Sequence, residues 1–574
     1  MARPPVSLGA LAAARGDAPA DLLITGGRVF VPPTREWIDT DLAVADGTVV
    51  GWGPRDAIEQ VDVGGAALTP GFLDAHMHLE STKLWIDEFV RSVLVHGTTG
   101  VAADPHELAN VFGVAGVAAL RAAAATMPFT FGICASSCVP ASMFESSGAT
   151  LGPDDLVTLL DDYGAIGVAE VMNFPGVING DPDVRAKIAA AGHRRVDGHA
   201  PGLCGRPLDA YLAAGVESDH ECTALDEATE KRRKGMWVFV REGSASRNLR
   251  DLIPMVVRHG VDRVALCTDD REPDLLRDRG HINDCIRMAV AEGVSIEDAI
   301  VLATMQVADY HNFHHLGQLG PGFQADVVAF DDLASMRPSR VWQRGTLVAS
   351  DGVIAPGAVP NSPPPSWMLE SVHLAAQPSA SELDLEAPTG GRARVIGLVP
   401  GQIVTEHLVL DLHDPDLDVA RIGVVERHHR TGRIGLGWVA GFGLERGAIA
   451  STVAHDNHNV MVVGARTAAG PHDMAVAIAR LAEIGGGQVV VLDGRVVAEV
   501  PLPIGGLMTD RPAGEAAEQI AAVTEAARAH LGVVLDAPFM HLSFLGLSVI
   551  PQLRITDRGL VDVDAFALTS IEPD

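Results

Sequence analysis

Pro70-Gly-Phe-Leu-Asp-Ala-His-Met-His-Leu-Glu-Ser81 is the stretch that decides the fold. A short run of apolar or small residues leads into His76-x-His78. On a strand, residues i and i+2 share a face. Both imidazoles then point the same way, close enough to offer two neutral nitrogen ligands to one metal ion. A bare His-x-His also occurs on solvent-facing edge strands, so the weight of the reading falls on the chain around it.

Outward from this stretch, apolar strand patterns alternate with helical ones. Strand candidates stand at 71–76, 99–104, 129–135, 166–171, 195–200, 216–220, 236–241 and 263–268. Helical stretches such as Val111–Thr126, Asp183–Ala191 and Asn283–Glu292 fall between or after them. Eight such units in about 250 residues have the size and rhythm of a (β/α)8, TIM-like barrel, which we expect over 70–320. Active sites of such barrels sit at the C-terminal ends of the strands. Strand 1 brings His76 and His78 there, strand 4 Glu170, strand 5 His199, strand 6 His220 and strand 8 Asp269. Four imidazoles and two carboxylates suffice for two divalent ions sharing a bridging carboxylate. Any one of them alone reads as a satisfied polar core residue. Five strand ends in barrel order read as a metal centre.

The flanks have a different texture. Residues 22–68 read as short strands, with Asp46-Gly47 between two apolar runs as a hairpin turn. Matching runs recur at Ala325–Phe330 and Leu347–Ile354. We therefore expect one small β-sandwich domain built from 21–69 and 321–358. Pro360-Asn-Ser-Pro-Pro-Pro365 marks a linker over 359–385. Beyond it, 386–574 reads as a C-terminal α+β domain, with a hairpin at Asp493-Gly494 and an alanine-rich helix at 513–531. Residues 1–20 carry Arg3, Arg15, Pro4 and Pro5 among alanines without a continuous apolar run, and read as a disordered tail rather than a signal peptide.

Composition narrows the function classes. A chain of 574 residues is too long for one core. Its net charge of −31 argues against a nucleic-acid binder and favours a cytoplasmic protein. No run of about 18 apolar residues is present, so no membrane span is expected. The six cysteines contain no C-x-x-C pair and read as reduced, mostly buried thiols.

The rim constellation resembles the amidohydrolase superfamily. Longer strings narrow the resemblance to the bacterial-type adenine deaminase family. They are the opening stretch, His96-Gly-Thr-Thr, Ala103-Asp-Pro-His-Glu107, Ser137-Cys-Val-Pro140, Glu170-Val-Met-Asn-Phe-Pro-Gly-Val177, Asp197-Gly-His-Ala-Pro-Gly202, Cys267-Thr-Asp-Asp270 and His455-Asp-Asn-His-Asn459. The resemblance spans nearly the whole chain. It implies hydrolytic deamination of adenine to hypoxanthine and ammonia, in purine salvage, on a Mn2+ or Fe2+ pair, and we expect a homodimer or higher homo-oligomer. Lys83, where an apolar residue is expected, and Asn457, where Ser is expected, depart from the family pattern.

Within this reading, Asp269 is the general base and then acid, ahead of Asp270. Glu221 is the candidate to protonate a ring nitrogen, or else a partner that orients a histidine. Asp104, His106 and Glu107 follow strand 2 on the same rim and are candidates for substrate or an additional metal, although Asp104 before Pro105 equally reads as a loop cap. Met172, Asn173 and Phe174 are placed to wall the base, and His455 and His458 to close the site from the C-terminal domain. Two alternatives compete. A cyclic-amide hydrolase of the dihydroorotase or hydantoinase kind uses a carbamylated lysine on strand 4, where this chain has Glu170; Lys187 lies in the following helix. A catalytically silent purine-binding homologue would be marked by loss of a ligand, and all six are present.

Overall fold

The computed structural model describes residues 5–244, 246–399 and 402–573. Eight short strands lie where the apolar runs predict them: β1 (Phe72–Met77), β2 (Thr98–Ala103), β3 (Thr130–Ile133), β4 (Gly167–Val171), β5 (Arg195–Gly198), β6 (Ser218–Asp219), β7 (Trp237–Arg241) and β8 (Val264–Cys267). Neighbours pair in parallel from β1 to β3, from β4 to β5 and from β6 to β8. A parallel bridge between Ala135 and Val168 carries the ladder from β3 to β4. The Glu217 amide donates to the Val196 carbonyl at 2.9 Å, joining β6 to β5. A bridge between Met77 and Asp269 closes β8 onto β1. This is a TIM-barrel-like fold.

The strand sequences show why it closes. Trp237-Val-Phe-Val-Arg241 is buried throughout, as a parallel strand covered on both faces requires. Its alternation divides the residues: Trp237 and Phe239 pack with Leu73, Ala75, Ala265 and Cys267, while Val238 and Val240 join the larger core beneath the helices. The helix Ile86–Leu94 follows the complementary rule. Ile86, Phe89, Val90, Val93 and Leu94 recur at helical spacing and are buried. Burial of each such side chain stabilises by about 1.5–3 kcal/mol. Asp87 and Glu88 in its first turn suit the positive end of the helix dipole.

Chain from both flanks joins in a seven-stranded sheet, where Val327–Phe330 pairs antiparallel with Ala67–Pro70. Asp46 and Gly47 form the expected hairpin turn with φ of 48° and 70°. Asp493 and Gly494 do the same with 52° and 72°. After residue 390 an eight-stranded sheet forms, from Arg392–Leu398 to Arg495–Pro501. The helix Gly470–Glu483 lays Met474, Ala477, Ile478 and Leu481 against its apolar face, and the alanine-rich stretch is a helix over Ala513–Leu531.

Two expectations need correction. The tail reading of 1–20 fails where the structure describes it; Met1–Pro4 lie outside the described residues. Leu8–Arg15 is a helix whose first turn is capped by Ser7, accepting from the Ala10 amide, and whose end is closed by Gly16 at φ 82°. Ala10 and Ala13 pack on Leu23, Ala43, Ala45 and Val50. The linker at 359–385 is likewise fastened down. Trp85 Nε1 donates to the Ser362 carbonyl at 2.6 Å, Arg91 to Val359 and Asn361, and Met368 and Leu383 are fully buried. All six cysteines are free thiols. Among the described residues, no helix is long and apolar enough to cross a membrane.

Candidate active site

The six rim residues converge. His76, His78, Glu170, His199, His220 and Asp269 are all buried at the C-terminal ends of their strands. The residue at the end of β8 turns sharply: Asp269 has φ 56°, its amide donates to the His76 carbonyl at 3.0 Å, and its carbonyl accepts from the His78 amide at 3.4 Å. A non-glycine residue in this left-handed region is uncommon and clusters at functional sites.

The donors form two groups around Glu170. In the first, the Nε2 atoms of His76 and His78 are 3.2 Å apart. Asp269 Oδ1 is 3.6 and 3.1 Å from them, and Glu170 Oε1 is 3.9 and 3.4 Å away. In the second, Glu170 Oε2 is 2.7 Å from His199 Nδ1 and 3.3 Å from His220 Nε2. The first group thus gathers two imidazole nitrogens, each within 4 Å of the other and of two carboxylate oxygens. A tetrahedral ion with bonds of about 2.1 Å has ligand atoms roughly 3.4 Å apart, and the first group brackets that separation. His78 Nδ1 bonds the Asp104 carbonyl at 2.9 Å, which fixes its proton there and leaves the Nε2 lone pair facing the group. The donor set therefore fits divalent metal, with Glu170 offering one oxygen to each side.

Electrostatics agree with an anionic centre. Burial pushes the Glu170 carboxyl up, but hydrogen bonds from His199 and His220 outweigh it and hold the pKa well below the usual carboxylate range. Burial likewise opposes ionisation of Asp269, and Arg241 and His78 overcome it. Arg241, at the end of β7, was not singled out from the sequence. It donates from Nη1 to Glu221 Oε1 and to Asp269 Oδ2 at 2.7 Å, and from Nη2 to Glu221 Oε2 at 2.8 Å. A charged residue closing an apolar strand on the rim was the available signal. Arg241→Met is expected to leave two buried carboxylates without their shared cation and to cost about 3–5 kcal/mol of stability, read as a fall in the urea midpoint.

A narrow cavity of about 20 Å3 opens onto this centre. His78, His106, Glu170, Met172, His199, His220, Glu221, Asp269 and Asp270 line it from the barrel. Ile403, His455, Asp456, Phe544, Leu547 and Ile550 close it from the C-terminal region. Asp270 accepts from the Ser81 hydroxyl, and burial with Asp269 alongside raises its pKa.

Several expected residues take other positions. Asn173 does not line this cavity: its side chain accepts from the Gly176 amide at 2.9 Å and caps the helix Phe174–Asn179. Phe174 packs half-buried against the main core. Asp104 caps no helix; it accepts from His106 Nδ1 at 3.2 Å and from the Ser136 hydroxyl at 2.6 Å, so it orients a histidine. Glu107 and His458 lie behind the cavity wall, 3.5 Å apart. Lys83 is buried on Glu272. Asn457 is fully buried, accepting from the Asn459 amide at 3.0 Å. The apolar lining at 403 and 544–550 carries no chemical signature in sequence.

Comparison with known proteins now decides the relationship. Residues 67–348 match the amidohydrolase family and residues 402–567 the adenine deaminase C-terminal domain. An adenine deaminase of Desulfatibacillum aliphaticivorans is 43% identical over 98% of this chain and 99% of its own. The chain belongs to the adenine deaminase family. An adenine deaminase of Cereibacter sphaeroides, at 43% identity over 96% of this chain and 98% of its own, and adenine deaminase 2 of Carboxydothermus hydrogenoformans, at 39% over 97% and 98%, are also similar over nearly their full lengths. Both the barrel rim and the segment that closes the cavity fall inside the matched regions, so this family member carries the whole of the candidate site.

Proposed function

We propose that the chain hydrolyses adenine at C6 to hypoxanthine and ammonia, using two divalent ions, Mn2+ or Fe2+, held by His76, His78, Glu170, His199, His220 and Asp269. Near-full-length similarity to adenine deaminases supports the substrate. The observation that carries the chemistry is Glu170, whose two oxygens face two separate donor groups. When bound, the ions supply Lewis acidity that makes water acidic enough to act as a nucleophile near neutral pH. The absence of a lysine on β4 counts against the carbamate-bridged cyclic-amide hydrolases.

The chain's own groups have the following work. Asp269 Oδ1 lies at the first donor group while Oδ2 is tied to Arg241. Oδ1 takes the water proton as the oxygen adds to C6, and returns it to the amine as the tetrahedral carbon collapses, the C6–N bond breaks and ammonia leaves. Glu221 lines the cavity within 4.0 Å of His220 Nε2, and its carboxyl is held in place by Arg241. From there it reaches a ring nitrogen of a base stacked above the metal donors. Met172, Phe544, Leu547 and Ile550 supply the apolar wall a planar base requires, and exclude water that would weaken the attack.

A nucleoside differs from its base by a ribose on N9. A small cavity roofed from the C-terminal region rejects that bulk by steric clash, a strong form of discrimination. The expected kcat/KM for adenine exceeds that for adenosine by at least about a hundredfold, roughly 2.7 kcal/mol. Ammonia release measured on adenine, adenosine, cytosine and dihydroorotate with added manganese tests this. Comparable rates on adenine and adenosine would make the protein a nucleoside deaminase, and release from dihydroorotate would restore the cyclic-amide alternative.

A further inference from the structure

We propose that the chain holds a third divalent cation, separate from the Glu170 pair, on His106, Glu107, His455 and Asp456, where it fastens the C-terminal region onto the barrel rim. His106 and Glu107 follow β2, whereas His455 and Asp456 lie some 350 residues later, yet all four are buried against one another. None of the six donors of the pair is used.

Tautomers single out the donor atoms. Asp104 Oδ2 accepts from His106 Nδ1 at 3.2 Å, which places a proton on Nδ1 and turns Nε2 towards Asp456. This is the carboxylate–histidine arrangement that accompanies metal ligands. His106 Nε2 is buried, has no hydrogen-bond partner, and is 3.1 Å from Asp456 Oδ1. Asp456 Oδ1 is 3.4 Å from His455 Nδ1, and His455 Nδ1 is 4.0 Å from Glu107 Oε1. The remaining oxygens, Glu107 Oε2 and Asp456 Oδ2, are also buried without a partner. One ligand atom from each of His106, Glu107 and His455 lies within 4.8 Å of the others.

His458 takes a different part. The Ala454 amide donates to its Nδ1 at 3.2 Å, so its proton is on Nε2, facing Glu107 Oε2 at 3.5 Å. With its lone pair used on the Ala454 amide, it approaches Glu107 without a hydrogen bond and is not a ligand. Ser81 Oγ is 2.8 Å from Glu107 Oε1 and also bonds Asp270, so its one hydroxyl hydrogen is shared between the two carboxylates.

Charge supplies the second argument. Among the described residues, neither Glu107 nor Asp456 pairs with a lysine or arginine; their charged neighbours are His106, His455 and His458. Buried carboxylates are costly without a compensating cation. Either the imidazoles carry protons or a metal ion sits among them. Separations of 3.1–4.0 Å, two nitrogen and two oxygen donors, and several unpartnered donor atoms favour the ion. Imidazole with carboxylate and no sulfur suits Mn2+, Fe2+ or Zn2+ rather than a thiophilic metal.

The test uses manganese-loaded full-length protein, freed of excess metal by gel filtration. Metal per chain is counted by plasma mass spectrometry, and manganese positions are read from anomalous scattering in crystals. Three ions per chain are expected, with one anomalous peak against His106 Nε2. Glu107→Gln and Asp456→Asn should each lower the count to two while the peaks at Glu170 persist. Glu170→Gln should do the reverse, losing at least one ion of the pair and keeping the peak at His106, so failure of the pair and failure of this site are told apart. If either single variant does not fold, the wild-type peak alone decides. Two ions per chain with no density at His106, or three ions with the third elsewhere, would overturn the proposal in favour of protonated histidines.

Discussion

Glu170→Gln is expected to lose at least one of the two ions proposed to share it, and to turn over adenine at least about a hundredfold more slowly, roughly 2.7 kcal/mol. The expectation follows from geometry. Oε1 faces His76 and His78, and Oε2 faces His199 and His220. A glutamine keeps the shape but offers only one oxygen; the other position becomes an NH2 group that donates and cannot ligate. One donor group therefore loses its bridge whichever way the amide turns. The negative charge that offsets two dications in a buried site is removed as well, and that loss is not recovered from solvent. Metal counts with steady-state kinetics on the same sample check both halves. A variant with both ions and normal turnover would rule out the bridge.

Asp269→Asn separates proton transfer from metal binding. Asp269 Oδ2 is fastened to Arg241 and Oδ1 is turned to the His76 and His78 nitrogens. An asparagine keeps an oxygen for the metal group but cannot accept and return a proton. The expected fall in kcat is about 10²–10⁴, the usual worth of general acid–base help, even in preparations that retain metal. Asp270→Asn should do less. Asp270 lines the cavity but faces Ser81 rather than the first donor group. The opposite ranking of the two variants would transfer the proton role to Asp270.

The barrel was legible because its signals are local and periodic. Strands such as Trp237–Arg241 alternate at period two inside continuous apolar runs, and a donor that ends each run must fall on the same rim. His76 and His78 needed only the i, i+2 rule. Residues 8–15 form a helix that alanine and arginine content does not distinguish from a tail. The signal lies in Ser7 and Gly16, the two caps that bound the helix. Asp456 and Arg241 were missed for another reason: their roles come from partners far away in the chain, His106 and Glu221, and no spacing rule reaches that distance. Asn173 was misassigned because a polar residue after a ligand strand serves equally well as a helix cap, and here the nearby Gly176 amide claims it. The apolar closure from Phe544 to Ile550 reads in sequence as ordinary core.

The central claim is that the buried Glu170 centre deaminates a free purine base with divalent metal. It is tested most directly by following ammonia and hypoxanthine together as manganese is returned to chelator-treated protein with adenine as substrate. The account predicts one ammonia per hypoxanthine, no turnover before metal is added, and recovery as the ions at Glu170 are restored. Turnover that is indifferent to metal, or a fully metallated protein that releases no ammonia from adenine, would contradict it.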